Sequence, residues 1–265
     1  MTDASRDQSS QLLSGKHALV TGGSRGIGAA VVEILLAHGA RVTSVSRTGA
    51  PRKESGASRS RDAVHHASAD VTDSESVRKA FESARGRFGE ITILVNNAGQ
   101  AASAPFLKTD PTLWRKMMAV NLDGTFHCTQ AVLAGMLAAG WGRIINIAST
   151  AGLTGYGYVA AYCAAKHGVV GLTRALAIEV ATKGVTVNAV CPGFTDTDIV
   201  KEAVTNIVAK TGRTAEQAQA ELASRNPQKR LVRPEEVANT VAWLCLPGSE
   251  AITGQAIAVA GGELM

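Results

Sequence analysis

The sequence predicts an α/β fold, a single-domain Rossmann-type doubly wound sheet of about seven parallel strands flanked by helices. Short β-branched apolar runs alternate with helical runs along the chain, which is the pattern of βαβ units. The first apolar run leads through a glycine-rich turn directly into a helix, as a dinucleotide-binding domain begins. No linker or repeat divides the 265 residues, a length that one large domain accommodates.

Seven apolar runs have the length and composition of buried strands. They cover residues 17–23, 40–47, 63–71, 91–99, 141–150, 184–193 and 254–262. Helical spacing of apolar residues follows in 24–39, 74–89, 111–139, 160–183 and 233–248. Pro111 and Pro234 stand in the first turns of their helices, where a missing amide proton is tolerated. Residues 111–139 are expected to form one long helix, apolar nearly all round.

The remaining segments are more polar. Residues 1–13 are expected to be a flexible tail that precedes one domain, residues 14–265. Residues 48–62 are rich in Gly, Ser and Pro and predict a solvated loop. Residues 194–228 carry the Lys, Arg, Glu and Gln mixture of surface helices.

Composition restricts the function classes. A hydrophobic content of 45% with 18% charged residues is that of a globular protein. The net charge of +5 is not clustered in a recognisable nucleic-acid-binding module, so no nucleic-acid partner is expected. The N-terminus lacks a signal-peptide core, and no apolar run approaches the ~20 residues that cross a bilayer. The four separated cysteines suit a reducing compartment, which predicts a soluble cytoplasmic protein without a metal site.

The turn after the first strand has the composition of a phosphate-binding loop. Its glycines allow a tight turn, a close approach of the backbone to a pyrophosphate and close packing of helix on strand. Amides at the helix N-terminus would then receive the phosphates. The spacing is G-x-x-x-G-x-G, and the residues of the turn are Gly22, Ser24, Arg25, Gly26, Ile27 and Gly28.

The end of the second strand bears on the choice of cofactor. Many NAD sites carry an acidic residue there, but this strand ends in Ser46 and Arg47. Arg47, together with Arg25, could pair with a 2′-phosphate, which favours NADP(H) while leaving NAD(H) possible. The alternative is that both arginines are solvated surface residues.

Two further strand ends carry candidate cofactor-binding residues. Asp70, followed by Val71, could accept a hydrogen bond from the adenine amino group, or could cap the next helix. Asn97, Ala98 and Gly99 leave the fourth strand and could support the cofactor's ribose or simply form a turn.

Ser149, Tyr162 and Lys166 are the candidate catalytic residues. The four-residue spacing places Tyr162 and Lys166 on one helical face, a single turn apart. A neighbouring ammonium favours the phenolate, so the pair is expected to have a lowered Tyr162 pKa. Asn121 is a polar residue within a mostly apolar helix, for which a hydrogen-bonded core amide is the alternative.

In this order and spacing, the motifs resemble those of the short-chain dehydrogenase/reductase family over essentially the whole chain after residue 14. The motifs are TGGSRGIG, Asp70, NNAG, Asn121, Ser149, Tyr162-x-x-x-Lys166 and the pair Pro192-Gly193. The segments IINIASTAG, AAKHGVVGLTRALA and ITGQAIAVAGG are similar to the 3-oxoacyl-thioester reductase and polyketide ketoreductase branch.

The resemblance implies roles for these residues. Tyr162 would protonate the carbonyl oxygen, or act as the base in alcohol oxidation, and Ser149 would polarise that oxygen. Lys166 would lower the Tyr162 pKa and bind the nicotinamide ribose, and Asn121 would hold a water that links Lys166 to solvent. The nicotinamide carboxamide would be seated by Pro192, Gly193 and Thr195.

The resemblance also implies a homotetramer built through residues 111–139 and 160–183. Residues 194–225 are expected to cover the substrate as a lid. The function expected is an NADPH-dependent carbonyl reductase acting on a 3-oxoacyl thioester or a related β-keto compound. One alternative is an NAD(P)-linked secondary-alcohol or 3-hydroxyacyl dehydrogenase; another is a non-catalytic dinucleotide-sensing protein.

Overall fold

A computed structural model describes residues 11–48 and 62–264 and contains one sheet. Its strands are β1 (His17–Thr21), β2 (Arg41–Ser46), β3 (Val64–Ser68), β4 (Ile93–Asn96), β5 (Gly142–Ile147), β6 (Val185–Pro192) and β7 (Ala256–Val259). All seven are parallel, in the order β3-β2-β1-β4-β5-β6-β7. The predicted doubly wound α/β fold is confirmed.

The part of the chain described contains eight α-helices. They are α1 (Gly26–Ala37), α2 (Ser74–Phe88), α3 (Pro111–Met118), α4 (Gly124–Ala139), α5 (Ala160–Val180), α6 (Asp198–Thr211), α7 (Ala215–Ser224) and α8 (Pro234–Cys245). Local signals start several of them. Pro111 begins α3 after Asp110, whose side chain accepts from the Leu113 amide at 2.7 Å. Thr214 and Gln217 form a reciprocal capping box on α7.

The sheet is covered on both faces. On one face, α2, α4 and the end of α5 bury residues such as Phe81, Val132 and Leu176 against Leu19 and Leu94. On the other face, α1 and α8 pack against the alternate residues of the same strands. That second cluster includes Val31, Leu35, Val237 and Leu244 from the helices and Val20, Ile93, Val95 and Ile145 from the sheet. Burial of both faces explains why the strands read as continuous apolar runs.

The helix predicted over 111–139 is continuous, but it is not α-helical throughout. A π-helical turn, Ala119–Asp123, joins α3 to α4. Its central residue, Asn121, donates from Nδ2 to the Met117 carbonyl at 3.0 Å and to the Gln100 carbonyl at 2.9 Å. The amide therefore ties the helix to the loop after β4, a contact between distant segments that helical periodicity does not reveal.

The predicted tail boundary also needs correction. Leu13, assigned to the tail, is buried in the core, and its amide donates to the His38 carbonyl at 2.8 Å. The ordered domain thus begins before residue 14. Residues 1–10 of the predicted tail and 49–61 of the predicted solvated loop lie outside the described residues.

Within the described ranges, no helix combines the length and apolar character needed to traverse a lipid bilayer.

Candidate active site

The predicted functional residues gather at the carboxyl edge of the sheet. The strand order reverses between β1 and β4, so the connections that follow these two strands diverge to opposite faces and leave a crevice. The glycine turn follows β1, Asn97 to Gly99 follow β4, and Ser149 follows β5. Parallel strands thereby bring segments that are distant in sequence to one site.

The glycine turn is packed too closely for side chains. Gly22 has φ +65°, and a Cβ there would lie 2.8 Å from Asn97 Nδ2. A Cβ on Gly28 would collide with the Gly22 carbonyl oxygen. The turn therefore exposes backbone to the crevice and brings the first turn of α1 close behind it.

The crevice is a cleft of about 570 Å³ with a mixed-charge lining. Arg25, Arg47 and Lys116 supply cations. The predicted cofactor residues that line it are Gly22, Ser24, Arg25, Gly26, Ile27, Ser46, Arg47, Asp70, Val71, Asn97, Ala98 and Gly99. A glycine cradle at a helix N-terminus, bordered by cations, fits the phosphates of a dinucleotide.

The sequence did not identify several residues of this cleft. Lys116 comes from α3, and Thr197, Asp198 and Ile199 come from the start of α6. None belongs to a motif that signals phosphate binding. The start of α6 lies on the glycine turn, which brings Thr197, Asp198 and Ile199 into the cleft, while α3 brings Lys116.

Two predicted cofactor residues have clear structural duties. Asn97 donates from Nδ2 to the carbonyls of Thr21 at 2.9 Å and Gly22 at 3.1 Å, so its amide holds the glycine turn. Asp70 accepts from the Thr72 amide at 2.9 Å and the Thr72 hydroxyl at 2.8 Å, and these bonds lower the pKa of Asp70. Oδ1 of Asp70 accepts both bonds within the turn before α2. The N-cap of α2 is Asp73, whose side chain accepts from the Glu75 amide at 3.0 Å, so Asp70 does not cap that helix.

Ser149, Tyr162 and Lys166 lie together at the other end of the site. Ser149 Oγ accepts from the Ala151 amide at 3.1 Å, which leaves the hydroxyl proton for another acceptor. Lys166 is buried, and its Nζ donates to the Ile147 carbonyl at 2.8 Å. The same Nζ is 5.7 Å from the centroid of the Tyr162 ring.

The expected lowering of the Tyr162 pKa is wrong. Burial raises the pKa of Tyr162, and the Ser149 hydroxyl opposes that effect. Burial also lowers the pKa of Lys166 to about 8. Desolvation has the larger effect because Lys166 is buried and Tyr162 is half-buried, and because the ammonium donates to the Ile147 carbonyl.

Asn121 is joined to this group through Gly99. A Cβ on Gly99 would lie 2.8 Å from Asn121 Oδ1 and 3.7 Å from Lys166 Nζ. Asn121 Oδ1 also accepts from the Gln100 amide at 3.2 Å, so the side-chain amide bonds both the loop after β4 and the Met117 carbonyl of α3. The hydrogen-bonded core amide is therefore the correct interpretation of the side chain.

Pro192 ends β6, and Gly193 and Thr195 follow it. The Thr195 hydroxyl donates to the Gly193 carbonyl at 3.0 Å. Behind Gly193 lies a carboxylate that the sequence did not indicate: a Cβ on Gly193 would be 3.0 Å from Glu263 Oε2. Glu263 Oε1 accepts from Tyr156 at 2.7 Å, which joins the chain terminus to the segment after Ser149.

Known proteins share this sequence and fold. The family model for short chain dehydrogenase matches residues 16–208. The 3-oxoacyl-(acyl-carrier-protein) reductase FabG of Vibrio cholerae is 40% identical over 257 residues, covering 96% of this chain and 99% of that protein. The D-beta-hydroxybutyrate dehydrogenase of Cupriavidus necator is 37% identical over 246 residues, covering 92% and 95%.

Among solved structures, the chain is similar to an actinorhodin polyketide ketoreductase variant crystallised with NADPH. The TM-score is 0.86 at 37% identity, over 94% of this chain and 97% of that one. Sequence and fold agree over almost the full length of these relatives. The chain therefore belongs to the short-chain dehydrogenase family, oxidoreductases that act on CH–OH and C=O groups.

Proposed function

We propose that the protein is an NADPH-dependent carbonyl reductase that converts a 3-oxoacyl thioester, or a related β-keto compound, to the hydroxy product. The observation that carries this proposal is the grouping of Ser149, Tyr162 and Lys166 next to the cation-bordered cleft. The reductase and ketoreductase relatives support the substrate class.

The cofactor preference rests on the lining of the cleft. Arg25 and Arg47 border it, and no carboxylate ends β2 to receive a ribose 2′-hydroxyl. NADPH, named in the structure of the actinorhodin ketoreductase, supplies the hydride when bound. Gly22 to Gly28 would hold its pyrophosphate, and Gly193 and Thr195 would seat the carboxamide. NAD(H) stays the alternative.

The catalytic roles follow from the groups that these side chains carry. The Tyr162 phenol would give its proton to the carbonyl oxygen, and the Lys166 ammonium lies 5.7 Å from the centroid of its ring. Ser149 retains a hydroxyl proton to donate to the carbonyl oxygen. Lys166 would bind the ribose, and the Asn121 amide holds the π-helical turn beside it.

We propose that residues 194–225, which contain α6 and α7, cover the substrate. α6 begins at the cleft, and Arg225 lies 5.1 Å above the ring of Tyr156, so the segment touches both ends of the site. We keep the proposal of a single domain that contains this lid, with its start moved to before residue 14 because Leu13 is buried in the core.

A second candidate is oxidation of a 3-hydroxy acid or its thioester. The hydroxybutyrate dehydrogenase relative favours it, and it would use the same residues with Tyr162 as the base. The relatives are reductases and dehydrogenases, which does not support the non-catalytic sensor.

We further propose a homotetramer assembled through α4 and α5. These helices expose apolar side chains, including Phe126, Leu137 and Ile178. The four cysteines are buried free thiols, which supports a reducing compartment, and we propose the cytoplasm.

The test measures oxidation of NADPH and NADH with acetoacetyl-CoA, using wild type, Tyr162→Phe and Arg47→Ala. Tyr162→Phe should lower kcat by about 10²- to 10⁴-fold because it removes the acid, while the Kd for NADPH stays unchanged. Arg47→Ala should weaken NADPH binding and leave NADH binding as it was.

Two results would contradict the proposal. Equal or better use of NADH would make the oxidative dehydrogenase the leading candidate. Undiminished turnover by Tyr162→Phe would remove the catalytic assignment.

A further inference from the structure

An ion pair joins the glycine turn to the lid segment. Arg25 Nη1 lies 2.8 Å from Asp198 Oδ2, with the two side chains 50% and 43% exposed. We propose that Asp198 competes with the cofactor's 2′-phosphate for Arg25, and thereby sets the NADPH affinity and links cofactor binding to the start of the lid. This inference rests on the proposed function and assigns a specificity-determining role to Asp198.

The local packing places Asp198 over the phosphate-binding turn. Asp198 is the first residue of α6, and Thr197 precedes it as the N-cap. A Cβ on Gly26 would lie 3.2 Å from Thr197 Cγ2, so the beginning of α6 rests directly on the glycine turn. Arg25 and Asp198 both line the cleft. A group that binds at the glycine turn must therefore approach this pair.

Asp198 places a negative charge among the cations that border the cleft. The described lining of the cleft contains the cations Arg25, Arg47 and Lys116 and the carboxylates Asp70 and Asp198. Asp70 is used by the turn at Thr72. Asp198 instead holds one of the cations that an anionic cofactor would use, which opposes binding of a phosphate at Arg25.

Asp198 also has a structural role that must be separated from this one. A carboxylate in the first turn of a helix interacts favourably with the helix dipole. That role does not involve Arg25 and persists when Arg25 is removed. A variant of Arg25 therefore distinguishes competition from helix stabilisation.

We expect the 2′-phosphate of NADPH to displace Asp198 from Arg25. The pair is largely exposed, and exposed ion pairs are weak. A phosphate carries more charge and can accept two guanidinium hydrogen bonds, so it should displace the carboxylate. The 2′-hydroxyl of NADH carries no charge and should leave the pair intact. The consequences of losing Asp198 should thus differ between the two dinucleotides.

The experiment titrates NADPH and NADH by dinucleotide fluorescence into wild type, Asp198→Asn, Arg25→Ala and the double variant. Asp198→Asn should tighten NADPH binding about three- to fivefold, the equivalent of one exposed ion pair, and leave NADH binding unchanged. In the Arg25→Ala background the same substitution should have no effect on NADPH. Asp196→Asn is the matched control, since Asp196 is exposed, two residues away and outside the cleft lining.

Hydrogen exchange gives a readout independent of affinity. Amides in the first turn of α6 should exchange faster with NADPH bound than with NADH bound, because the phosphate releases Asp198. This difference should disappear in Asp198→Asn.

Three outcomes would overturn the inference. Weaker NADPH binding by Asp198→Asn would mean that Asp198 positions Arg25 instead of competing for it. If Asp198→Asn and Asp196→Asn change NADPH binding equally, Asp198 acts only through its general charge. The proposed function would still stand in that case, provided that NADPH is preferred and Arg47→Ala abolishes that preference. Wild type that binds NADH as tightly as NADPH would overturn both this inference and the proposed cofactor.

Discussion

At the scale of single residues, Lys166 shows how burial shifts the pKa of a candidate catalytic side chain. Its ammonium is surrounded by protein and donates to the Ile147 carbonyl, so desolvation lowers its pKa to about 8. Tyr162, a turn away, has its pKa raised by the same cause. The spacing of the two residues predicts their proximity, while the dielectric environment decides which protonation states are populated.

We predict that Lys166 reduces stability at neutral pH in the cofactor-free protein. Its folded pKa of about 8 lies below its ordinary value of 10.5, so the unfolded state binds more protons between these values. The contribution of Lys166 to the free energy of unfolding should therefore rise by about 3 kcal/mol as pH increases from about 8 to 10.5. Urea unfolding should show it as a difference in pH dependence between wild type and Lys166→Met, because the buried thiols of Cys128, Cys191 and Cys245, whose raised pKa values destabilise the fold in base, are common to both proteins.

The control for this measurement is Lys183→Met, which removes an exposed lysine. It should retain the wild-type pH profile. Parallel profiles for wild type and Lys166→Met would contradict the prediction.

At the scale of elements, buried polar residues fix the relative placement of strands and helices. The π-helical turn at Asn121 is one case, and His17 at the start of β1 is another. His17 is 2% exposed, with Nδ1 2.8 Å from the Gly89 carbonyl and Nε2 2.9 Å from Thr43 Oγ1. The neutral ring can donate to the carbonyl and accept from the hydroxyl, which joins β1 to β2 and to the end of α2.

We predict that His17 makes the fold sensitive to mild acid. Burial is the largest cause of its lowered pKa, and the neighbouring His65 also contributes. Because the unfolded state takes up the proton near pH 6.5 and the folded state does so only at lower pH, the free energy of unfolding falls as pH decreases below 6.5. Thermal unfolding between pH 7.5 and 5 should show a shallower decline in His17→Gln.

His17→Gln loses hydrogen bonds and should start from a lower melting temperature, so the slope is the relevant quantity. His167→Gln alters an exposed histidine of α5 and should keep the wild-type slope. An unchanged slope in His17→Gln would refute the role of His17.

At the scale of the whole molecule, a three-layer arrangement buries both faces of the sheet but leaves apolar side chains on the outer helices. Ile178 on α5 is 81% exposed, and Phe126 on α4 is 47% exposed. Exposed apolar groups on two long neighbouring helices are typical of a surface that packs against another subunit.

We predict that Ile178→Lys disrupts the proposed tetramer. Burying an isoleucine contributes about 1.5–3 kcal/mol for each copy, and a lysine would place a charge in the interface. Light scattering after size exclusion should give wild type a mass of four 27.4 kDa chains and the variant a smaller assembly. Leu107→Lys, which alters an exposed leucine outside α4 and α5, should keep the wild-type mass. A monomeric wild type, or an unaffected Ile178→Lys, would refute the interface.

The sequence by itself determined the seven strands, their parallel arrangement and the edge at which the site lies. These follow from local patterns, because an apolar run or a glycine turn carries its signal within a few residues, and parallel strands must bring their carboxyl ends to one edge. The glycine turn, Ser149 and the Tyr162–Lys166 pair were located in this way. Their side-chain identities predicted the type of chemistry.

Only the tertiary structure decided how these groups are held and charged. Asn97 hydrogen-bonds to the glycine turn, Asn121 to the Gln100 loop and Arg25 to Asp198. Each bond joins separate segments of the chain, which are 173 residues apart in the case of Arg25 and Asp198. The raised pKa of Tyr162 depends on desolvation by the surrounding protein. A local pattern does not contain such contacts, since hydrogen-bond partners and desolvation are set when distant elements pack together.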